Sequence, residues 1–121
     1  MIHSHYNIMT WNVRGMATLG KRRRVISYLR RHNTQITSLQ ETHMTQKGLD
    51  NLRRTWSGQV FGTTTSTYAK GVLIWMARDV PYMVIASNRD PEGRFVILEG
   101  DLEGSPLALL AIYAPNSKLC G

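Results

Sequence analysis

Short apolar segments separated by polar turns run along the chain, and their spacing predicts strands as well as helices. The apolar run over Tyr6–Val13 predicts a strand. Lys21–His32 then carries apolar residues on one helical face, and Asn33 is a suitable residue to end that helix. Ile36–Gln40 predicts a second strand. A strand, a helix and a strand in this order are typical of a βαβ-like unit.

The middle of the chain predicts one more helix and three further strands. Gln46–Trp56 has apolar residues spaced for one helical face. Gln59–Thr64 and the brief segment Met83–Ala86 predict strands. Gly71–Met76 is apolar at nearly every position, which indicates a central strand that is buried on both faces.

The last third of the chain predicts a β-hairpin. Arg94–Leu102 and Leu107–Tyr113 are strand-like, and the residues Glu103-Gly104-Ser105-Pro106 between them favour a turn. In the first strand Glu99 and Asp101 share one face, opposite the leucines. One face of this hairpin should therefore meet water and the other a core. The hairpin also implies antiparallel pairing.

Composition narrows the possibilities without fixing a function. The chain has 121 residues, of which 42% are hydrophobic, so it suits one small packed domain at most. The net charge of +7 and the pI of about 10.1 favour polyanionic partners, chiefly nucleic acid, although a basic surface is also compatible with membrane association. With Cys120 as the single cysteine no internal disulfide can form, which indicates a reducing compartment. We expect neither a membrane span nor a secretory signal.

Four short motifs carry the candidate chemistry, and each is weak alone. In chain order they are Trp11-Asn12-Val13-Arg14-Gly15, Leu39-Gln40-Glu41-Thr42, Lys70-Gly71-Val72 and Ile112-Tyr113-Ala114-Pro115-Asn116. Together they resemble the endonuclease/exonuclease/phosphatase superfamily, over about Ile8 to Asn116. Three stretches look most like the apurinic-endonuclease-like endonuclease of non-LTR (LINE-type) retrotransposons: Gln40–His43, Asp90-Pro91-Glu92-Gly93-Arg94 and Ile112–Asn116.

Magnesium chemistry can be argued from the residues themselves. Mg²⁺ keeps several waters and usually takes one or two carboxylates, and phosphodiester cleavage needs a cation that neutralises the phosphate and the leaving oxygen. Glu41 follows a strand and suits this purpose if the strand of Asn12 lies beside it. The resemblance implies that Glu41 binds Mg²⁺ (or Mn²⁺) with Asn12 at the same metal site. It also implies that Tyr113 lies near the scissile phosphate as a third catalytic residue and that Asn116 faces bound DNA.

The resemblance also implies a fold and an activity. The fold class is α+β: residues 1–121 would form the N-terminal half of a deoxyribonuclease-I-like four-layer α/β-sandwich, with one mixed, largely antiparallel sheet and flanking helices. The activity would be Mg-dependent hydrolysis of DNA, with no small-molecule cofactor, in a nuclear or other intracellular location. The family's general base is a histidine near the far end of the domain, and we do not expect His43 to replace it. We therefore expect this chain alone to be an inefficient nuclease.

Plainer interpretations stay open for each residue. In these interpretations Glu41 is a solvated surface charge, Asn12 caps the backbone, Tyr113 is a core aromatic and Asn116 is a turn residue. A second hypothesis is a catalytically empty, basic nucleic-acid-binding remnant. A third is a P-loop-like nucleotide binder at Gly15–Lys21, although Arg22 stands where serine or threonine should ligate magnesium. The hairpin favours the nuclease over the P-loop, and metal dependence would separate the nuclease from the binding remnant.

Overall fold

A computed structural model describes residues 5–64 and 70–113, and within these ranges every predicted strand and helix is present. In chain order the elements are β1 (Ile8–Asn12), α1 (Leu19–Arg31), β2 (Ile36–Gln40), α2 (Gln46–Thr55), β3 (Val60–Gly62), β4 (Val72–Met76), β5 (Tyr82–Arg89), β6 (Phe95–Leu102) and β7 (Ser105–Ile112). Neither helix of this described part is long and apolar enough to cross a membrane.

Local capping sets the ends of the helices. The Thr18 hydroxyl accepts a hydrogen bond from the amide of Lys21 at the start of α1, and Thr45 does the same for Gly48 at the start of α2. At the end of α1, Asn33 adopts a positive φ of 51°. The amide of Asn33 donates to the Arg30 carbonyl and that of Thr34 to the Leu29 carbonyl, which completes a Schellman motif. The predicted stop at Asn33 is confirmed.

The first sheet has the strand order β1-β2-β4-β3. Strands β1 and β2 are parallel, with Asn12 opposite Gln40, and the crossover through α1 confirms the predicted βαβ unit. The pairs β2–β4 and β3–β4 are antiparallel. Every residue of β4 is buried, as its apolar sequence predicts.

The second sheet is antiparallel and has the order β5-β6-β7. Glu103 and Gly104, with φ of 50° and 88°, form the turn of the predicted hairpin, which is the sign of φ that a tight type I′ connection needs. Strand β5 is longer than the predicted Met83–Ala86, because it pairs along almost the whole of β6. The expectation of an α+β fold is confirmed, but the strands divide between two sheets where we expected one.

Two hydrophobic cores separate three layers. Alternate residues of β4 face opposite sides, so Leu73 and Trp75 pack under the helices while Ile74 and Met76 pack against the second sheet. This double use of β4 is why the hairpin stacks on the first sheet and does not extend it. The layers are therefore helices, mixed sheet and antiparallel sheet.

An apolar groove of about 570 Å³ lies between the edge strands β1 and β7. Its walls include Ile8 and Ile112, whose side chains are 65% and 50% exposed. These exposed side chains leave this side of the two sheets open to solvent in the part of the chain that the structure describes. Asn12 and Gln40 lie at the polar side of the same groove.

Candidate active site

The parallel strands β1 and β2 end at the same rim of the first sheet, which brings Asn12 and Glu41 together. Asn12 Nδ2 donates to Glu41 Oε2 over 2.5 Å, and Asn12 Oδ1 accepts from the amide of Arg14 over 3.1 Å. The donor end of the amide has to face the carboxylate, since the opposite orientation would place two oxygens in contact. Asn12 therefore orients Glu41. The predicted meeting of these side chains is confirmed.

The backbone at this rim is strained. Arg14, Glu41 and His43 have φ of 51°, 54° and 55°, in the left-handed region that costs an L-residue about 1–2 kcal/mol. The two loops hold each other in place, because the amide of Gly15 donates to the Glu41 carbonyl (2.6 Å) and that of Met16 to the Thr42 carbonyl (2.9 Å). Strain of this kind persists only where the surrounding structure enforces it, and it is typical of functional sites.

Backbone hydrogen bonds extend the rim to the second sheet. The amides of Thr42 and His43 donate to the carbonyls of Gly71 and Lys70 (3.0 and 3.1 Å), and the amide of Gly71 donates to Gly93 (3.1 Å). The loops that carry Glu41, Lys70 and Gly93 therefore form one continuous edge.

Tyr113 joins this edge through its backbone. Its amide donates to the Arg94 carbonyl over 2.7 Å. Its half-buried side chain packs against the core between the sheets, in accord with the interpretation as a core aromatic. A role for Tyr113 at the phosphate stays a prediction. The fourth predicted site residue, Asn116, lies outside the described residues.

Charged side chains that the sequence analysis did not assign to the site also lie along this edge. Arg94 Nε donates to Asp90 Oδ2 over 2.6 Å, and this hydrogen bond lowers the pKa of the buried Asp90 to about 2. Glu92 lies 3.8 Å from Arg94 and 3.9 Å from Lys70. The motif Asp90–Arg94 was visible in the sequence. Only the contact between Gly71 and Gly93 shows that the residues of this motif join the rim of Glu41.

His43 lies against Glu41. Its Nε2 atom is 3.9 Å from Glu41 Oε1, beyond hydrogen-bond distance, and it is buried without a hydrogen-bond partner. The ring packs on Gly15, where a Cβ would lie 3.1 Å from Nδ1. Its place in the sequence suggested His43 only as a candidate general base, a role that is not expected of it, whereas in the structure it is the neighbour of the Glu41 carboxylate.

The donor set fits one anchoring carboxylate for a hard divalent cation. Glu41 is oriented by Asn12 through Oε2, and its Oε1 atom faces the buried, unpartnered Nε2 of His43 at 3.9 Å. Residues 5–64 and 70–113 contain no group of three or more His, Cys, Asp or Glu side chains that could hold a metal. Mg²⁺ can bind where the protein supplies few ligands, because it usually keeps several waters and takes only one or two carboxylates.

The P-loop hypothesis is wrong for this structure. A phosphate cradle needs free amides at Gly15–Lys21, but those of Gly15 and Met16 bond to the Glu41 loop and that of Lys21 bonds to Thr18. The Lys21 ammonium donates to the Val13 carbonyl (3.0 Å). The mixed and antiparallel sheets also differ from the parallel sheet that this hypothesis predicted.

The fold is of the deoxyribonuclease-I-like class. Residues 9–116 match the Endonuclease/Exonuclease/phosphatase family, and the chain belongs to that family.

Solved structures with the same fold include TDP2 from D. rerio, complexed with a single-strand DNA product (20% identity, TM-score 0.66, covering 96% of this chain and 49% of that one). TDP2 from Caenorhabditis elegans is similar as well (18% identity, TM-score 0.63, 93% and 47%). So is a 3′-5′ exonuclease, NExo, from Neisseria meningitidis (23% identity, TM-score 0.54, 90% and 41%). The chain spans about half the length of these structures.

Proposed function

We propose that this chain is the N-terminal half of a metal-dependent DNA endonuclease of the LINE-type retrotransposon class. The observation that carries the proposal is the Glu41 carboxylate, held by Asn12 on a strained rim. The Neisseria exonuclease was solved with a product DNA hairpin and the D. rerio protein with single-strand DNA, which supports DNA as the substrate here. The retrotransposon class rests on the resemblance of the Glu41, Asp90–Arg94 and Tyr113 motifs.

In this proposal each rim residue has a separate role. Glu41 anchors Mg²⁺, or Mn²⁺ in its place, and Asn12 fixes the rotamer of the carboxylate through its amide. The cation supplies charge neutralisation at the phosphate and at the leaving oxygen. The roles of Tyr113 at the scissile phosphate and of Asn116 against bound DNA are assigned from the family resemblance alone. Arg94, already positioned by Asp90, presents a guanidinium to the same phosphate backbone.

We further propose that residues 1–121 alone cleave DNA inefficiently. A hydrolytic water needs a general base within hydrogen-bond reach, and the resemblance assigns that base to a histidine of the second half. His43 makes no hydrogen bond through its buried Nε2 to orient it for this role. A complete site would combine the rim described above with side chains from that second half.

Two measurements test the proposal separately. Mn²⁺ titration, followed by its EPR signal, should show binding to the parent chain that is weakened at least about tenfold by Glu41→Gln, because the variant removes the anchoring charge. The control is Glu99→Gln, an exposed carboxylate in the middle of β6. Equal binding by the parent and by Glu41→Gln would refute the metal role.

Plasmid nicking with Mg²⁺ tests the inefficiency. We expect at most slow nicking by the 121-residue chain. Rapid nicking that Glu41→Ala abolishes would refute the inefficiency while supporting the role of Glu41.

The basic charge favours a second candidate, a non-catalytic nucleic-acid-binding remnant. Fifteen Lys and Arg residues stand against eight Asp and Glu. This candidate predicts DNA binding that falls steeply with salt and is the same with and without divalent cation. The Mn²⁺ titration separates it from the nuclease.

A further inference from the structure

A second charged surface lies outside the rim, on the helical layer. Helices α1 and α2 enclose an open groove of about 730 Å³. Five arginines line it, and we call it the arginine groove: Arg22, Arg23, Arg30, Arg31 and Arg78. No aspartate or glutamate is among the described residues that line the groove. The described side chains that line it therefore carry positive formal charges and no negative ones.

Among the described residues, no ion pair neutralises the arginines of the groove. Among residues 5–64 and 70–113, the ion pairs within 4.0 Å involve His43, Lys70 and Arg94, and none of the five groove arginines. Four of these arginines lie on one helix within ten residues of each other. Such a cluster of like charges is unfavourable in the absence of an anion and becomes favourable when an anion binds.

Arg22 shows that this charge is built into the groove. It is only 8% exposed, and its guanidinium donates to the carbonyls of Ala17 (2.6 Å) and Met16 (3.3 Å) and to Asn51 Oδ1 (3.4 Å). All three acceptors are neutral. Burial lowers the pKa of Arg22, yet a guanidinium stays protonated in proteins, so a buried positive charge remains uncompensated at the base of the groove.

A short chain of hydrogen bonds connects the arginine groove with the active-site rim. Arg22 contacts the Met16 carbonyl, and the Met16 amide donates to Thr42, the residue after Glu41. From there the groove follows α1, whose 13 residues span about 20 Å at 1.5 Å per residue. Consecutive phosphates of a strand are about 3.4 Å apart along a DNA axis, so this length accommodates several of them.

Two of the larger apolar residues of the groove are engaged by the fold. Trp56 and Ile26 pack against the helical core, and Trp56 Nε1 donates to the Met76 carbonyl over 2.8 Å. Leu19 is the one exposed large apolar side chain among the described residues of the lining, whereas four of the arginines are exposed: Arg23, Arg30, Arg31 and Arg78. These observations favour phosphates over an amphipathic protein segment.

We propose that the arginine groove binds the phosphate backbone of DNA that extends beyond the cleavage rim. The inference rests on the proposed function for its choice of DNA, but it concerns a surface that the chemistry at Glu41 does not use. Guanidinium groups contact phosphate through two parallel N–H donors, and contacts to phosphate do not depend on the base sequence. The groove would hold the substrate flank and so lengthen the binding footprint.

The test compares two double variants with the same loss of charge. Arg23→Gln with Arg30→Gln removes two exposed arginines of the groove, and Arg24→Gln with Arg54→Gln removes two exposed arginines outside it. The probe is a fluorescein-labelled 30-base-pair duplex in EDTA, which prevents cleavage. Anisotropy is measured from 50 to 200 mM KCl, after circular dichroism has shown equal folding.

We expect the groove variant to bind at least about tenfold more weakly at 100 mM KCl and to lose about 1.8 from its salt slope, since each lost phosphate contact removes about 0.9. The control variant should keep the slope of the parent. Equal effects of the two pairs, or none from either, would overturn the proposal. It would also be overturned if only an acidic amphipathic peptide distinguished the groove pair from the control pair.

Failure of the proposed function gives a different result. The duplex titration in EDTA contains no free divalent cation, so it reports on the arginine groove and not on metal binding by Glu41. If Glu41 has no metal role, this binding experiment is unaffected. If the groove does not bind DNA, the Mn²⁺ titration at Glu41 is unaffected.

Discussion

Gly71 occupies the tightest point of the rim, and its replacement by alanine should destabilise the protein strongly. Its φ is +112°, a conformation that residues with a side chain rarely adopt. A Cβ at this position would lie 2.6 Å from Thr42 Oγ1 and 3.2 Å from the His43 amide nitrogen. Thr42 is fully buried, so it has no space into which to withdraw.

Two costs add for Gly71→Ala. The backbone conformation costs about 1–3 kcal/mol for a residue other than glycine. Overpacking against Thr42 adds about 1–3 kcal/mol. We therefore expect the free energy of unfolding, measured by urea titration, to fall by about 2–6 kcal/mol. Gly104→Ala is the matched control, because Gly104 also has a positive φ (+88°) but nothing within 4 Å of its Cβ position. It should show the backbone cost alone.

A double variant isolates the steric part. Thr42→Ala removes an oxygen that has no hydrogen-bond partner and relieves the 2.6 Å contact. In that background Gly71→Ala should cost about 1–2 kcal/mol less than in the parent, a coupling typical of residues in direct contact. The reasoning is refuted if Gly71→Ala and Gly104→Ala cost the same, or if Thr42→Ala recovers nothing.

Two further predictions concern stability. The hydrogen bond from Arg94 lowers the pKa of Asp90 from 3.8 to about 2, so this carboxylate stabilises the fold fully above about pH 4, and the contribution is lost as the pH falls through about 2. Asp90→Asn should flatten the decline in melting temperature over this range, whereas an unchanged decline would contradict the assignment. Tyr82→Phe should lower the free energy of unfolding by about 1–2 kcal/mol, because the hydroxyl of this buried residue donates to the Leu107 carbonyl over 2.7 Å. Tyr28→Phe, at an exposed position, is the control in the same urea titration, and equal costs would contradict the prediction.

The sequence predicted the elements well, because apolar periodicity is a local property of the chain. It did not predict how the strands divide between two sheets. Strand β4 is apolar at every position, which shows that both faces are covered but not which layer covers each. The length of β5 was missed for a related reason. Ser87 and Asn88 are exposed, and β6 supplies their pairing from a distant part of the sequence.

The candidate site was predictable only in part. Asn12 and Glu41 come at the ends of consecutive strands of a βαβ unit, so their meeting follows from topology. The approach of Lys70 and Arg94 to the same rim depends on the hydrogen bond between Gly71 and Gly93, which no local sequence pattern predicts. The positive φ of Glu41 could not be predicted from the sequence either, because glutamate has no preference for the left-handed region.

A positive φ does not by itself mark a functional residue in this protein. Of the five such residues other than glycine in the described ranges, Asn33 ends a helix in a Schellman motif and Glu103 lies in a hairpin turn, so both have local explanations. The other three are Arg14, Glu41 and His43, and they lie in two loops that fix each other through backbone hydrogen bonds. Their strain is imposed by tertiary contacts and coincides with an oriented carboxylate. That coincidence, more than any one of these features, distinguishes this rim from the ordinary turns of the same fold.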